Sequence, residues 1–265
     1  MSDARHHRQR ILPQVGESGQ RRLSDASVLI VGLGALGSPA ALYLAAAGVG
    51  RIDLLDDQRV EPSNLNRQLL YQDADIGRLK VEAARARLLA LDPSVRVDAM
   101  VDTFRPSNAE ALIRSHDLVV DGTDSFESKF LLNDAAILLR RPLVYGAALQ
   151  WGGQVMTVLP AGPCLRCLFG DPPEPGAVES CEEAGILGAV TGVIGSMQAE
   201  EAIKVLLGAG ETLRGRLLQH DGLGAETRTI DFRKDPHCPV CSERPRINDL
   251  NRYDEQVSAR GHVLV

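Results

Sequence analysis

Base-stacking side chains and positive charge are both scarce in this sequence. Aromatic residues make up 4% of the 265-residue chain, with Trp151 as its one tryptophan, and 29 lysines and arginines stand against 35 acids for a net charge of −6. Nucleic-acid binders need a basic face, often interleaved with aromatics, so no nucleic-acid partner is expected; a small nucleotide stays open. An apolar leader is missing as well. Met1 to Gln20 is polar and carries Arg5, Arg8 and Arg10, so no signal peptide is expected and the reading is cytoplasmic. Charge itself is missing from Ala26 to Gly50, a length that would suit a membrane span. Gly32, Gly34, Gly37 and Pro39 make that stretch a poor unbroken helix. A buried strand followed by a buried helix explains it without a membrane.

Apolar material is ample. With 44% hydrophobic residues the chain can bury one large α/β core or two small ones, and no internal repeat divides it. We read residues 1–265 as one domain, with a basic arm over 1–25, a nucleotide-binding half over 26–148, a second half over 149–241 and a polar tail over 242–265.

The first half turns on one stretch. Val28-Leu29-Ile30-Val31 runs into Gly32-x-Gly34-x-x-Gly37, and Ser38-Pro39 opens an alanine- and leucine-rich segment up to Gly48: strand, tight turn, helix. The glycines let the backbone approach a ligand, and the free N–H groups at the helix start favour a phosphate. About 20 residues on, the strand Arg51-Ile52-Asp53-Leu54-Leu55 ends in Asp56, where a carboxylate can hold a ribose or close a turn. These two features alone suggest an NAD-dependent oxidoreductase. A long polar loop follows from Asp57 to Asp75, with Ser63-Asn64-Leu65-Asn66-Arg67-Gln68 inside it; loops of that length in a compact domain are usually functional.

Beyond the loop, the pattern predicts a helix over 77–91, strands over 95–101, 117–121 and 142–148, and helices over 108–115 and 126–139. The βα alternation puts acidic and glycine turns, including Gly122-Thr123-Asp124-Ser125, at the C-terminal strand ends, where open parallel sheets bind ligands. The second half departs from it. A strand over 151–159 is followed by an acidic, proline-bearing segment over 170–186, expected to be mobile. A helix over 187–207 carries Gly188, Gly192 and Gly195 on one face, which calls for a close neighbour, and a strand pair spans 214–232.

Four of the five cysteines form two C-x-x-C pairs, Cys164/Cys167 and Cys238/Cys241. Two such knuckles supply the four thiolates of a tetrahedral structural zinc, which would tie the C-terminal segment to the middle of the chain. Disulfides suit a cytoplasmic protein poorly, and a redox pair needs only one C-x-x-C. Cys181 is left over in an acidic setting that opposes thiolate formation.

In combination, Arg8-Gln9, the glycine loop, Leu55-Asp56, Ser63 to Gln68, Gly77-x-x-Lys80, Asp121-x-Thr123-Asp124, both cysteine pairs and Cys181-Glu182-Glu183-Ala184-Gly185 resemble the MoeB/ThiF family of sulfur-carrier-protein adenylyltransferases, relatives of the ubiquitin-activating enzymes. The resemblance runs from about Arg5 to Cys241. It implies a Rossmann-like ATP-binding α/β fold with a mostly parallel central sheet, an antiparallel C-terminal extension and a structural zinc. It implies ATP in the glycine pocket, and as partner the C-terminal Gly-Gly carboxylate of a small ubiquitin-like sulfur carrier, received by the second half. Asp56 would hold the ribose; Asn64, Arg67 and Lys80 would address the phosphates; Asp124 would bind Mg²⁺. Gly32, Gly34, Gly37, Ser63, Leu65, Asn66 and Ser125 would complete the nucleotide contacts. Arg8 would reach the phosphates of a partner subunit in a homodimer, and Cys181 would serve a later step, with a sulfurtransferase or cysteine desulfurase as sulfur donor. This chain departs from the family pattern at Gln58, Ser125 and Lys129, where an acid, an asparagine and an arginine are often found. Two other readings stand beside it, an ATP-dependent tRNA-base-modifying relative and the NAD-dependent oxidoreductase.

Overall fold

The computed structural model describes residues 2–174, 184–251 and 253. The parallel part is built from β1 (Ser27–Val31), α4 (Gly37–Ala46), β2 (Arg51–Leu55), α5 (Lys80–Leu91), β3 (Arg96–Met100), α6 (Pro106–Arg114), β4 (Leu118–Asp121), α7 (Phe126–Leu138) and β5 (Leu143–Leu149). The β1, β2 and β4 strands are short apolar runs buried almost throughout, as strands covered on both faces must be. The antiparallel part adds β6 (Gly152–Val158), β7 (Arg216–Asp221) and β8 (Glu226–Asp231), with α8 (Leu165–Phe169) and α9 (Gly188–Leu207) between β6 and β7. Among the described residues the eight strands form one sheet in the order β3-β2-β1-β4-β5-β6-β7-β8. Pairing is parallel from β3 through β5 and antiparallel from β5 to β8, the division the sequence predicted.

Two cores flank the sheet. One face packs on α4, α5 and α9 through Leu44, Leu88 and Ile194, and the other on α6, α7 and the cysteine knuckles through Ile113, Leu132 and Cys164. Strand order reverses between β1 and β4, which opens a crevice at their C-terminal ends. There the loop after β1 and the turn after β4 touch: a Cβ on Gly32 would lie 2.7 Å from the Gly122 carbonyl oxygen.

The N-terminal arm is polar in sequence yet helical and docked on the core. It forms α1 (Ser2–Arg5), α2 (His7–Arg10) and α3 (Gly16–Asp25), with Leu23 fully buried. Its polar side chains close the C-terminal ends of three core helices. Gln9 and Gln20 donate to the Ala47 carbonyl (2.9 and 3.0 Å), Arg5 to Leu91 (2.6 Å) and Arg22 to Leu207 (2.5 Å). Those carbonyls have no partner within their helices, and the cations also suit the negative helix ends. Sequence patterning looks for apolar faces and passes over docking of this kind.

The glycine face of α9 is accounted for in two places out of three. A Cβ on Gly195 would meet Pro39 and the Leu36 carbonyl, and one on Gly188 would meet Asn66 and Arg67; at Gly192 nothing lies within 4 Å. The N-terminus of α9 thus braces the functional loop. The α5 helix begins at Lys80, not Gly77, because Gly77 sits at φ +84° in a turn that the helix cannot include.

Candidate functional site

The glycine loop forms the floor of the crevice. Gly32 has φ +84°, a region closed to most side chains, and a Cβ on Gly37 would collide with the Gly32 carbonyl. Gly34 is different: the one atom within 4 Å of a Cβ there would be Gln68 Nε2, at 3.8 Å. The protein leaves space above Gly34. At the start of α4 no side chain caps the helix and no acid stands in its first turn; Ser38 N donates to Gly34 O (3.0 Å) and Pro39 has no N–H, so the Gly37 N–H is the one in this turn available to an anion among the described residues.

Asp56 lies beneath this loop, at the end of β2. Its Oδ2 accepts from Leu33 N (2.8 Å) and its Oδ1 from Gln58 N (2.8 Å), so the carboxylate braces the loop as well as facing the crevice. Burial raises its pKa, while these N–H bonds and nearby Lys80 oppose the rise. The Lys80 side chain is buried and its Nζ donates to Gln58 Oε1 at 2.6 Å. At Gln58, where the family pattern often has an acid, Lys80 thus has a neutral amide as its hydrogen-bond partner, with Asp56 the carboxylate nearby.

The loop from Ser63 to Gln68 supplies the wall, and its members divide into builders and exposed groups. Asn64 is buried and its Oδ1 accepts from Glu61 N at 3.1 Å, capping the short helical turn Pro62–Asn64; its Nδ2 makes one long bond, to Ser63 Oγ at 3.5 Å, and has a second N–H for a ligand. Ser63 and Asn66 orient the guanidinium of Arg67, whose Nη1 donates to Ser63 O (2.7 Å) and Asn66 Oδ1 (3.0 Å). Leu65 packs against the core. Gln68, absent from the sequence-based site, is buried beside Gly34. Tyr71 was also missed: burial pushes its phenol far above its ordinary pKa, and its hydroxyl donates to Leu33 O at 2.9 Å.

Across the crevice, Asp121 and Asp124 end β4 in opposite states. Asp121 is fully buried and accepts from Thr123 N and Oγ1 (3.0 and 2.6 Å) and from Lys129 Nζ (3.1 Å). Asp124 is exposed and makes no hydrogen bond or ion pair among the described residues, as a carboxylate that fits a cation from solvent should. Ser125 caps α7, its Oγ accepting from Ser128 N at 3.1 Å. Lys129 also donates to Thr123 O and Gly146 O (2.7 and 2.6 Å). All three of its N–H groups are therefore engaged inside the protein.

Arg8 is exposed on α2, and the arm docks at the C-terminal ends of α4 and α5. The ten residues of α4, about 15 Å of helix, separate that end from the glycine loop. Arg8 does not line the crevice of its own chain. Cys181 lies outside the described residues.

On the opposite face the four knuckle cysteines converge. Sγ separations are 4.0 Å for Cys164–Cys167, 3.6 Å for Cys164–Cys238 and 3.3 Å for Cys167–Cys241, and all four sulfurs lie within 4.8 Å of one another. A tetrahedral zinc with Zn–S near 2.3 Å spaces its sulfurs about 3.8 Å apart, so the donor set fits that ion. Neighbouring thiols push Cys167 and Cys238 down and Cys164 and Cys241 up. Between the first two of these cysteines stands a residue that sequence reasoning missed. Arg166 is buried and pairs with Asp134 (2.8 Å), Asp171 (2.6 Å) and Tyr253 (3.1 Å); burial opposes its charge, and Asp134 and Tyr253 hold its pKa above the ordinary value.

Comparison with known proteins agrees with this geometry. The chain is 50% identical over 256 residues to the sulfur carrier protein adenylyltransferase of Thermus thermophilus, covering 94% of each. It is 49% identical over 255 residues to adenylyltransferase and sulfurtransferase MOCS3 of Drosophila willistoni, covering 95% of this chain and 56% of that protein; the chain thus spans little more than half the MOCS3 length. A crystal structure of E. coli MccB with ATP superposes with a TM-score of 0.79 at 21% identity, over 89% of this chain and 74% of that one, a likeness of fold. The sequence pattern of the ThiF family matches residues 6–240, and the chain belongs to that family.

Proposed function

We propose that this chain is an ATP-dependent adenylyltransferase that acts on the C-terminal Gly-Gly carboxylate of a small ubiquitin-like sulfur carrier protein. The observation that carries the reading is the joining of a phosphate floor to a cationic wall. The uncapped start of α4 and the open space over Gly34 lie beside Asp56, Lys80 and the loop of Arg67. The 50% identity to a sulfur carrier protein adenylyltransferase over nearly the whole of both chains supports the choice of substrate.

A terminal carboxylate has a pKa near 3.5 and is already an anion at neutral pH. It attacks the α-phosphorus of ATP without a general base. One carboxylate oxygen forms the new P–O bond, the bond to the bridging oxygen breaks, and pyrophosphate leaves with that electron pair. The chain's task is to neutralise charge that gathers on the α-phosphate and the leaving group, by Arg67, Lys80 and the N–H of Gly37 at the start of α4. Asp124 would hold Mg²⁺, which supplies further neutralisation at the phosphates. The product is a carrier acyl-adenylate prepared for thiocarboxylate formation.

The same reading covers the arm and the knuckles. Arg8 reaches the phosphates of a second subunit in a homodimer, since it does not line its own crevice. The four cysteines hold a structural zinc. A sulfurtransferase or cysteine desulfurase supplies the sulfur, and Cys181 acts after adenylation: pyrophosphate exchange is expected to be unchanged in Cys181→Ser, and its loss would contradict that order. The nicotinamide reading accounts for the glycine loop and Asp56 but gives no role to Arg67, Lys80 and Asp124, which the adenylation reading uses. Intact mass of a Gly-Gly carrier incubated with ATP and this protein tests the proposal: a gain of one AMP is expected, and an unmodified carrier contradicts it.

A further inference from the structure

The α9 helix touches both sides of the crevice through bare glycine backbone. At its first residue, Gly188, a Cβ would lie 2.4 Å from the Asn66 carbonyl oxygen and 3.2 Å from Cα and Cβ of Arg67. Seven residues on, about 10 Å along the helix, a Cβ on Gly195 would lie 2.4 Å from Pro39 Cγ and 2.5 Å from the Leu36 carbonyl oxygen. The first contact is with the wall that carries the Arg67 guanidinium, the second with the end of the glycine loop. In both, the opposing carbonyl belongs to the backbone and cannot yield by turning a side chain. The helix itself is tied down. Leu187 N donates to Gln150 O (3.0 Å) and Gln150 N to Gly185 O (2.9 Å) at its start, and farther along Gln198 Nε2 donates to Asp121 O (2.7 Å) at the end of β4.

A rigid element that bears on two walls at once fixes the distance between them. The guanidinium of Arg67 bonds to Ser63 O and Asn66 Oδ1, both in its own loop, so its height over the glycine loop follows the position of its backbone. Tyr71 ties the far end of that region to Leu33 O (2.9 Å), whereas Gly188 bears on Arg67 itself. We propose that Gly188 is a positioning residue for adenylation that acts through Arg67, with α9 as the spacer that sets the cationic wall at its working distance from the phosphate floor. The proposal rests on the adenylation reading for the reaction. An ordinary C···O contact is about 3.3–3.6 Å, so a methyl group on Gly188 displaces the wall by about 1 Å, a misplacement that costs on the order of a hundredfold in rate. Gly192, one turn farther along the same face, would place a Cβ with nothing within 4 Å, so the spacer does not depend on a glycine there.

A double-mutant cycle tests this. Gly188→Ala, Arg67→Ala and the double variant are compared with wild type in carrier-dependent pyrophosphate exchange at high enzyme concentration, with Gly192→Ala as control. Gly188→Ala is expected to fold and to lose about a hundredfold in kcat, more than it loses in affinity for a non-hydrolysable ATP analogue, because the charge that Arg67 meets grows as the carboxylate attacks. In the Arg67→Ala background the same substitution is expected to cost less than about threefold, as for two residues that act through one group. Gly192→Ala is expected to exchange as wild type does and to melt no lower, since alanine is the better helix former. Crystal structures of wild type and Gly188→Ala supply a readout apart from rate: the separation of Arg67 Cα from Leu36 is expected to change by about 1 Å. Wild-type kcat in Gly188→Ala, an equal loss in both backgrounds, an equal loss in Gly192→Ala, an unchanged separation, or a Gly188→Ala chain that does not fold each overturns the inference. Wild type that exchanges no pyrophosphate with any Gly-Gly carrier contradicts the adenylation reading instead and leaves the crystallographic comparison standing.

Discussion

Arg67 and Lys80 are both cations of the functional loop region, yet they are held in different ways. Lys80 is buried with an amide as partner, whereas Arg67 is half-buried and leans on one carbonyl and one side-chain oxygen of its own loop. Loss of the Arg67 guanidinium therefore removes little packing. Arg67→Ala is expected to lower adenylation by on the order of a hundredfold or more, as loss of one oxyanion donor does, with thermal stability near that of wild type. Turnover like wild type would remove Arg67 from the mechanism. The identities of such residues were legible in the sequence because they sit in a patterned motif. Their states were not. Nothing in the residue type says that Asn64 caps its own turn, that Lys129 is consumed by Asp121, Thr123 and Gly146, or that Gln68 faces Gly34, because burial of a polar side chain is decided by chain segments distant in sequence.

Among the elements, the glycine loop carries the sharpest contrast. Gly37 and Gly34 belong to one motif, but a Cβ at Gly37 would collide with the Gly32 carbonyl, while at Gly34 it would meet one flexible side-chain atom at 3.8 Å. Gly37→Ala is expected to destabilise the fold by about 1–3 kcal/mol, the cost of overpacking a tight site. Gly34→Ala is expected to melt as wild type does and to bind ATP poorly, since the added methyl occupies ligand space. Thermal melts and nucleotide titrations of the two variants check this, and Gly34→Ala with full affinity would contradict the placement of the nucleotide over the loop. Here the sequence was a good guide. Strand, turn and helix follow from an apolar β-branched run, three glycines and an alanine-rich stretch, all local features. The arm was read less well, because its docking depends on Gln9, Gln20, Arg5 and Arg22 meeting helix ends that only the fold brings near.

At the scale of the whole molecule, the sheet separates two tasks. One side and the crevice edge carry the residues proposed to hold the nucleotide; the other carries the cysteine cluster and the buried Arg166 network, which join α7 and α8 to the segment around Cys238. Zinc there would staple residues 74 positions apart without touching the chemistry. Elemental analysis is expected to find one zinc per chain, and a strong chelator to lower the melting temperature while nucleotide affinity, measured below the new transition, is retained. A metal-free protein with an unchanged melt would contradict the structural role. The pairing of the knuckles was legible from spacing alone, whereas Arg166 between them was not, since a lone arginine reads as surface. The central claim concerns the crevice, and carrier-dependent ATP–pyrophosphate exchange tests it most directly. With a candidate Gly-Gly carrier present, label from pyrophosphate is predicted to enter ATP, and to stop when the carrier's terminal glycine is removed. Exchange that is absent with every such carrier, or that continues without the terminal glycine, would contradict the account.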